Sequence, residues 1–307
     1  MATATAFEPK LEHDGFVVVH DALSPVQVQR LRNAFDAGLA TVPPLVPTNW
    51  DATKYADEYA GAVQPVVGPV GEAGAGPHGI ASRRYPNILA WDPAFVSLAD
   101  NPAVQPLLAA ALGPDFVLNH DYGHALQPHH TRDGMAPPHA VVRGQLHNVA
   151  AVSPQNRLAR NRLWGGTSNL MTVVYDLEDA EPADGGFGCV AGSHRKGYKL
   201  PIPKEPDPLT GEYPPLVKRV PCKAGTCIVF TELCFHCTLP WNGNGKRKTV
   251  FLKFSPADDP FTQRRKDWAA RYQALDNSLL GSRLRAILGL TPLPSTAPQR
   301  TRAKASL

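Results

Sequence analysis

Thr226-Cys227-Ile228-Val229-Phe230-Thr231-Glu232-Leu233-Cys234-Phe235-His236-Cys237-Thr238-Leu239-Pro240-Trp241 is the stretch that decides the fold. Its first five residues are β-branched and apolar, the pattern of a buried strand, and a second strand is expected to end at His236. Asn242-Gly243-Asn244-Gly245 marks a turn. Arg247 then leads into a third strand over Thr249–Phe254, where Val250-Phe251-Leu252-Lys253-Phe254 has the composition of a buried strand. Working upstream, strands are expected at Leu170–Leu177, Leu146–Val152 and Phe116–Asn119, with a turn at Ala183-Asp184-Gly185-Gly186. Widely spaced strands with long insertions suit a mainly β double-stranded β-helix, a cupin-like jelly roll, flanked by α-helices.

On the N-terminal side, Asp14–His20 forms a short apolar strand. Ser24 offers an N-cap and Pro25 a first helical position, and Val28, Leu31, Phe35 and Leu39 recur at helical spacing, so Ser24–Ala40 is an amphipathic helix. A helix over Val96–Leu112 is expected to break at Pro102, and Phe261–Leu275 and Ser278–Leu288 are expected to close the fold. Residues 1–290 read as one domain. Within it 41–84, rich in Pro, Gly and Ala, reads as a loop insertion that could serve as a lid. Gly68, Gly71, Gly74 and Gly76 do not form a phosphate loop, since no strand precedes them and no Gly-Lys-Ser/Thr follows. Residues 291–307 read as a flexible tail.

The chain has 307 residues, 43% hydrophobic and 19% charged, with a net charge of +4. The basic residues are dispersed, which argues against wrapping a nucleic-acid polymer and favours a small, anionic substrate. The N-terminus carries neither a basic segment nor a long apolar stretch, so no signal peptide and no membrane span is expected. Five cysteines, an odd number without a leader, point to reduced thiols in a cytoplasm. Cys234-x-x-Cys237 has no second pair and does not make a zinc site.

Three residues carry the chemistry. His147, in Gln145-Leu146-His147-Asn148-Val149, precedes His236 by about ninety residues, and Arg247 follows His236 by about eleven, the skeleton of a non-haem Fe(II), 2-oxoglutarate-dependent site. Two neutral imidazoles leave positions for 2-oxoglutarate and O2, and an arginine forks onto the far carboxylate of the cofactor. Thr238 shares the side of a strand with His236 and could donate to the same carboxylate. In the usual facial triad the second residue after the first histidine is acidic; here it is Val149, which cannot bind a metal. Any one of the eleven histidines, taken alone, is more often structural than a ligand.

These motifs resemble the phytanoyl-CoA dioxygenase family. The similarity runs from Asp14-Gly15-Phe16-Val17-Val18 to Lys253-Phe254-Ser255-Pro256 and includes Asp184-Gly185-Gly186-Phe187-Gly188-Cys189-Val190-Ala191-Gly192-Ser193-His194 and Ala224-Gly225-Thr226-Cys227-Ile228-Val229-Phe230. The resemblance implies that His147 and His236 bind iron, that Arg247 anchors 2-oxoglutarate, and that Asn148 lies near the cofactor. Loss of the acid, with Ala or Gly in its place, marks the halogenases that use this cofactor. There chloride fills the vacated position and restores the missing negative charge, and chlorine rather than hydroxyl reaches the substrate. Val149 is larger than Ala or Gly. A halogenase of secondary metabolism is therefore the expected function. An outline similarity to nucleotide chlorinases of nucleoside-antibiotic pathways allows an adenine nucleotide as substrate.

Two alternatives stay open. A hydroxylase could complete its iron site with another carboxylate: Glu232, four residues before His236 and on its strand face if that strand is regular, Asp121 beside His120, or Asp133 after His130. A binding protein of the same fold could have lost catalysis. Arg143, with Arg157, Arg160 and Arg162, could grip a phosphate or carboxylate of the substrate, and Trp164 and Trp241 could wall its pocket or pack in the core.

Overall fold

Alternation along the central strands sorts the side chains into two cores. The computed structural model describes residues 8–41, 68–69, 82–126, 146–148, 170–207, 212–257, 272–273, 275, 278 and 280–291. Strands β5 (Met171–Asp176) and β8 (Cys227–Thr231) are buried along their whole length, and β10 (Arg247–Pro256) along most of it. Met171, Val173 and Tyr175 of β5, Val229 of β8 and Val250, Leu252 and Phe254 of β10 join one large cluster with the helices. Val174, Ile228 and Phe230 face the opposite way, into a second cluster with Phe187 and Cys189. Near-continuous apolar runs are what a sheet covered on both faces requires.

The remaining strands are β1 (Phe16–Val19), β2 (Gly68–Pro69), β3 (Ser82–Pro86), β4 (Phe116–Leu126), β6 (Gly186–Cys189), β7 (Lys218–Arg219) and β9 (His236–Leu239). Seven strands form one sheet in the order β1-β8-β5-β10-β4-β3-β2, and β7-β6-β9 form a smaller one. Every pairing is antiparallel. Two antiparallel sheets with a shared inner cluster and helices on the outer face of the larger one are the expected jelly roll.

Helix α1 covers Glu8–Asp14, and α2 covers Pro25–Thr41 with Val28, Leu31, Ala34 and Phe35 buried. Its start is a capping box: Ser24 Oγ accepts from Gln27 N at 3.3 Å while Gln27 Oε1 accepts from Ser24 N at 2.9 Å. The helix expected over Val96–Leu112 breaks at Pro102 as the sequence implies, but the part before the break is a turn at Pro93–Val96 and a 3-10 turn at Ser97–Asp100, and the helix after it covers Gln105–Leu112. Asn101, forced out of the helical region by Pro102, is extended (φ −67°, ψ 120°), and its side chain bonds Ala22 O and Ala103 N.

Three other boundaries move. Strand β4 continues well past Asn119 to Leu126, with a register shift where Lys253 pairs with His120 but Phe254 with Leu118. Its polar residues conceal a strand because one face of it lines a polar cavity. The expected insertion at 41–84 contributes β2 and β3 to the sheet edge; the rest of it beyond Thr41 lies outside the described residues. The closing helix spans Ser282–Ile287, while residues 261–271, the tail from Pro292 and the 149–152 end of the strand expected after Leu146 also lie outside. Among the described residues no helix is long and apolar enough to cross a membrane.

Candidate active site

His147 and His236 are partners in an antiparallel bridge, each backbone N–H donating to the other's carbonyl at 3.0 Å. Directly opposed residues of an antiparallel pair project to the same face, so the rings meet, with centroids 4.3 Å apart. His236 Nδ1 donates to the Cys234 carbonyl at 2.8 Å, which leaves the Nε2 lone pair for a metal. Burial, reinforced by the neighbouring His147, pushes the His236 imidazole down to about 3 against the opposing pull of Glu232. It is therefore neutral at physiological pH, as a ligand must be.

Arg247, the first residue of β10, shares a strand face with Phe251 and Lys253, and all three line the cavity. It is buried, and its Nη2 lies 2.5 Å from Oδ1 of the fully buried Asp176. The contact is a close ion pair, the Cys222 thiol also meets the Asp176 carboxylate, and Arg247 Nε has no hydrogen-bond partner. Burial raises the Asp176 carboxyl above its usual range, and Arg247 only partly opposes this. Gly186, with φ +94°, leaves the space beside the guanidinium: a Cβ there would stand 3.2 Å from Arg247 Nε. Gly185 is needed in the same turn, since its Cβ would fall 1.7 Å from Pro240 O.

Glu232 does not share a strand with His236, as a regular strand would have required. Strand β8 ends at Thr231, a turn follows, and β9 begins at His236. The turn nevertheless brings Glu232 Oε2 to 3.8 Å from His236 Nε2. Oε1 receives Lys253 Nζ at 2.8 Å and the Thr172 hydroxyl, while Oε2 has no hydrogen-bond partner. Burial alone would raise this carboxyl, but the Lys253 ammonium, with the Thr172 hydroxyl, outweighs it and holds it well below the usual range. Because His236 is neutral, its contact with Glu232 is not an ion pair. Among the described residues no group of three His, Cys, Asp or Glu side chains stands ready to hold a metal.

These groups surround a cavity of about 250 Å3 between the two sheets. Tyr122, Val174, Phe187, Phe230 and Phe251 supply its apolar wall; His124, His147, Glu232, His236, Thr238, Arg247 and Lys253 supply polar groups. Tyr122 and Phe251 stack at 4.7 Å, and Phe187 stacks on His236 at 6.2 Å. The structure thus brings His147, His236, Thr238, Glu232 and Arg247 together.

The other candidates fall elsewhere. Asn148 does not line the cavity; it donates to the Leu233 carbonyl at 3.1 Å and ties its segment to the turn before His236. Trp241 is a core residue packed with Leu126 and Ala180, its indole N–H bonded to Gly245 O at 2.8 Å. Asp121 bonds Leu89 N and the Tyr272 hydroxyl. Val149, Arg143, Arg157, Arg160, Arg162, Trp164 and Asp133 lie outside the described residues. Lys253, Thr172, Asp176, Tyr122 and His124 join the site without a motif to mark them. Lys253 does carry a signal: it follows Arg247 at even spacing along one strand, in an otherwise apolar run.

Residues 11–249 match the phytanoyl-CoA dioxygenase (PhyH) family model. A comparison with curated protein sequences gives no match. Among solved structures, HygX from Streptomyces hygroscopicus, with nickel and 2-oxoglutarate bound, is similar at a TM-score of 0.56 and 17% identity over 84% of this chain and 88% of that one. AviO1 from Streptomyces viridochromogenes Tue57 gives 0.52 and 18% over 85% and 99%. SnoN, a non-heme alpha ketoglutarate dependent epimerase from nogalamycin biosynthesis, gives 0.52 and 16% over 82% of each chain. At such identities the likeness is one of fold. The family match is more specific, and it spans both histidines and Arg247: the chain belongs to the phytanoyl-CoA dioxygenase (PhyH) family of iron(II)- and 2-oxoglutarate-dependent oxidoreductases.

Proposed function

We propose that this oxidoreductase is a halogenase that places chlorine at an unactivated C–H bond of a small, anionic metabolite, with Fe(II), 2-oxoglutarate, O2 and chloride as its requirements. The observation that carries the cofactor reading is the convergence of His147, His236 and Arg247 on one cavity. Halogenation rests on Val149, which puts an alkyl side chain where the facial triad has its acid. A halide would restore both the ligand and the charge that this substitution removes.

The residues fit the cofactors by their donor chemistry: two imidazoles directly opposed, one with its Nε2 freed by the Cys234 carbonyl, and a buried guanidinium with an unpaired Nε. Bound iron, with O2 and 2-oxoglutarate, supplies an oxidant able to take hydrogen from an unactivated carbon. The chain does the positioning. His147 and His236 hold the metal; Arg247, assisted by Thr238, holds the distal carboxylate of 2-oxoglutarate. Phe187, Phe230, Tyr122 and Phe251 exclude water from the reacting centre. Lys253 and Thr172 fix Glu232 beside it. Retention of all these groups speaks against a binding protein without activity.

The structures of HygX with hygromycin B and of SnoN with nogalamycin RO support a small-molecule substrate in an antibiotic or related secondary pathway. Arg143 and Trp164 are proposed substrate contacts from the sequence alone, and a nucleotide is one anionic substrate that an arginine and a planar ring would suit. Five free, buried cysteines support a reducing, cytoplasmic setting. A second reading, hydroxylation, is favoured by one observation: the unpaired Glu232 Oε2 beside His236 Nε2 could take the place of the missing acid. The test of the cofactor reading is succinate formation from 2-oxoglutarate. It should require Fe(II) and O2 and stop in His236→Ala; turnover that persists in metal-free protein would refute it.

A further inference from the structure

Arg247 is held from behind by a carboxylate that lies outside the cavity lining. Asp176 closes β5, is fully buried and stands 2.5 Å from Arg247 Nη2. Beside Arg247 the side chain it meets is the Cys222 thiol, so the carboxylate is turned to the guanidinium rather than to solvent. A buried ion pair is weak support for stability, because well-packed apolar residues of similar volume often do as well. The guanidinium is also confined on a second side: Gly186 leaves 3.2 Å between a would-be Cβ and Nε, so Arg247 lies against the backbone of the turn. Held on two sides, Arg247 presents a buried, unpaired Nε in the wall of the cavity.

From this we infer that Asp176 is a positioning residue that fixes how far Arg247 reaches into the cavity, and thereby selects the chain length of the 2-oxo diacid that binds. The inference rests on the proposed cofactor, 2-oxoglutarate. The electrostatics agree with a geometric role rather than a simple attractive one. Asp176 cancels the charge of Arg247, so the pair offers a dianion directed hydrogen bonds at a set distance instead of net positive potential. Removing Asp176 would leave a stronger but looser cation, which attracts diacids of several lengths. Lengthening it by one methylene would push the guanidinium forward and penalise the longer diacid.

The test uses Ni(II)-loaded protein and calorimetric titration with 2-oxoglutarate, with 2-oxoadipate, which is one methylene longer, and with pyruvate, the 2-oxo acid that lacks a distal carboxylate. Wild type should prefer 2-oxoglutarate over 2-oxoadipate by about tenfold or more, the scale of one misplaced methylene. Asp176→Asn should bring that preference within about threefold, and Asp176→Glu should raise it, with pyruvate affinity changed by less than about twofold in both. A purely structural role would weaken all three ligands together, and that result overturns the inference, as does a preference unchanged in Asp176→Asn. If Asp176→Asn does not melt cooperatively, Asp176→Glu decides: an unaltered or reduced preference overturns the inference. A wild-type protein that binds none of the three in the presence of Ni(II) overturns the cofactor reading itself.

Discussion

Glu232 Oε2 lies 3.8 Å from His236 Nε2, buried and without a hydrogen bond, while Oε1 is held by Lys253 and Thr172. One oxygen of this carboxylate is thus committed and the other faces the nitrogen proposed to bind the metal. If halide completes the iron site, Glu232→Gln keeps normal iron stoichiometry. The same substitution removes one partner of a buried ion pair, so it should lower unfolding free energy by about 3–5 kcal/mol. Iron content and a denaturant titration read the two effects separately. Loss of iron from a folded Glu232→Gln protein would make Glu232 the third ligand and hydroxylation the reaction.

Arg247→Ala should weaken 2-oxoglutarate binding by about 2–4 kcal/mol, the scale for losing one partner of a buried charge-assisted contact. Arg247→Lys should recover only part of this, because an ammonium has no fork. Calorimetry with Ni(II) in place of iron gives the number. An unchanged affinity would shift the anchor to Lys253, the other cation in the cavity wall, because Lys248 points to Asp36 and Glu178 instead.

On the proposed halogenase reading, Val149 leaves room for the halide. Once a substrate is known, product chlorination should require chloride and rise with its concentration, with bromide as a substitute. Val149→Asp should exclude the halide and move surviving activity toward hydroxylation, and Val149→Gly should keep or improve halide use. Product mass with and without chloride decides, and a hydroxylated product formed at equal rate in both rejects the halogenase.

His194 gives a prediction that is independent of catalysis. It is buried against Gly15, its Nε2 donates to the Glu12 carbonyl at 3.0 Å, and burial lowers its pKa below the usual 6.5. Folded protein therefore keeps it neutral while the unfolded chain takes up a proton below about 6.5, so the unfolded state binds more protons there. Stability should fall as pH drops through 6.5 and continue to fall until the folded-state value is reached. In His194→Gln this part of the slope should vanish. An identical pH profile in the variant would assign the loss to other groups.

Spacing alone makes His147, His236 and Arg247 legible, because metal and carboxylate chemistry restricts residue type strongly. The inner strand faces are legible from apolar runs, since β5, β8 and β10 are covered on both sides. Which buried charges face each other is not legible in this way. Asp176 meets Arg247, and Glu232 meets Lys253, only because antiparallel register sets β5 and β10 side by side and a turn folds Glu232 back toward His236. Strand β4 is longer than its sequence suggests for a related reason: a polar inner face makes His120, Tyr122 and His124 look like a loop. Trp241 illustrates the reverse, since its indole N–H finds Gly245 within its own turn and the ring can be buried away from the cavity.

The most direct measurement of the central claim is anaerobic addition of Fe(II) and 2-oxoglutarate to the purified protein, followed by visible absorption and equilibrium dialysis. One Fe(II) should bind per chain, and a charge-transfer band should appear only when both are present. His147→Ala and His236→Ala should lose the metal and the band together. Normal iron stoichiometry in either single variant, or 2-oxoglutarate binding that ignores the metal, would contradict the assignment of His147 and His236 as the iron ligands.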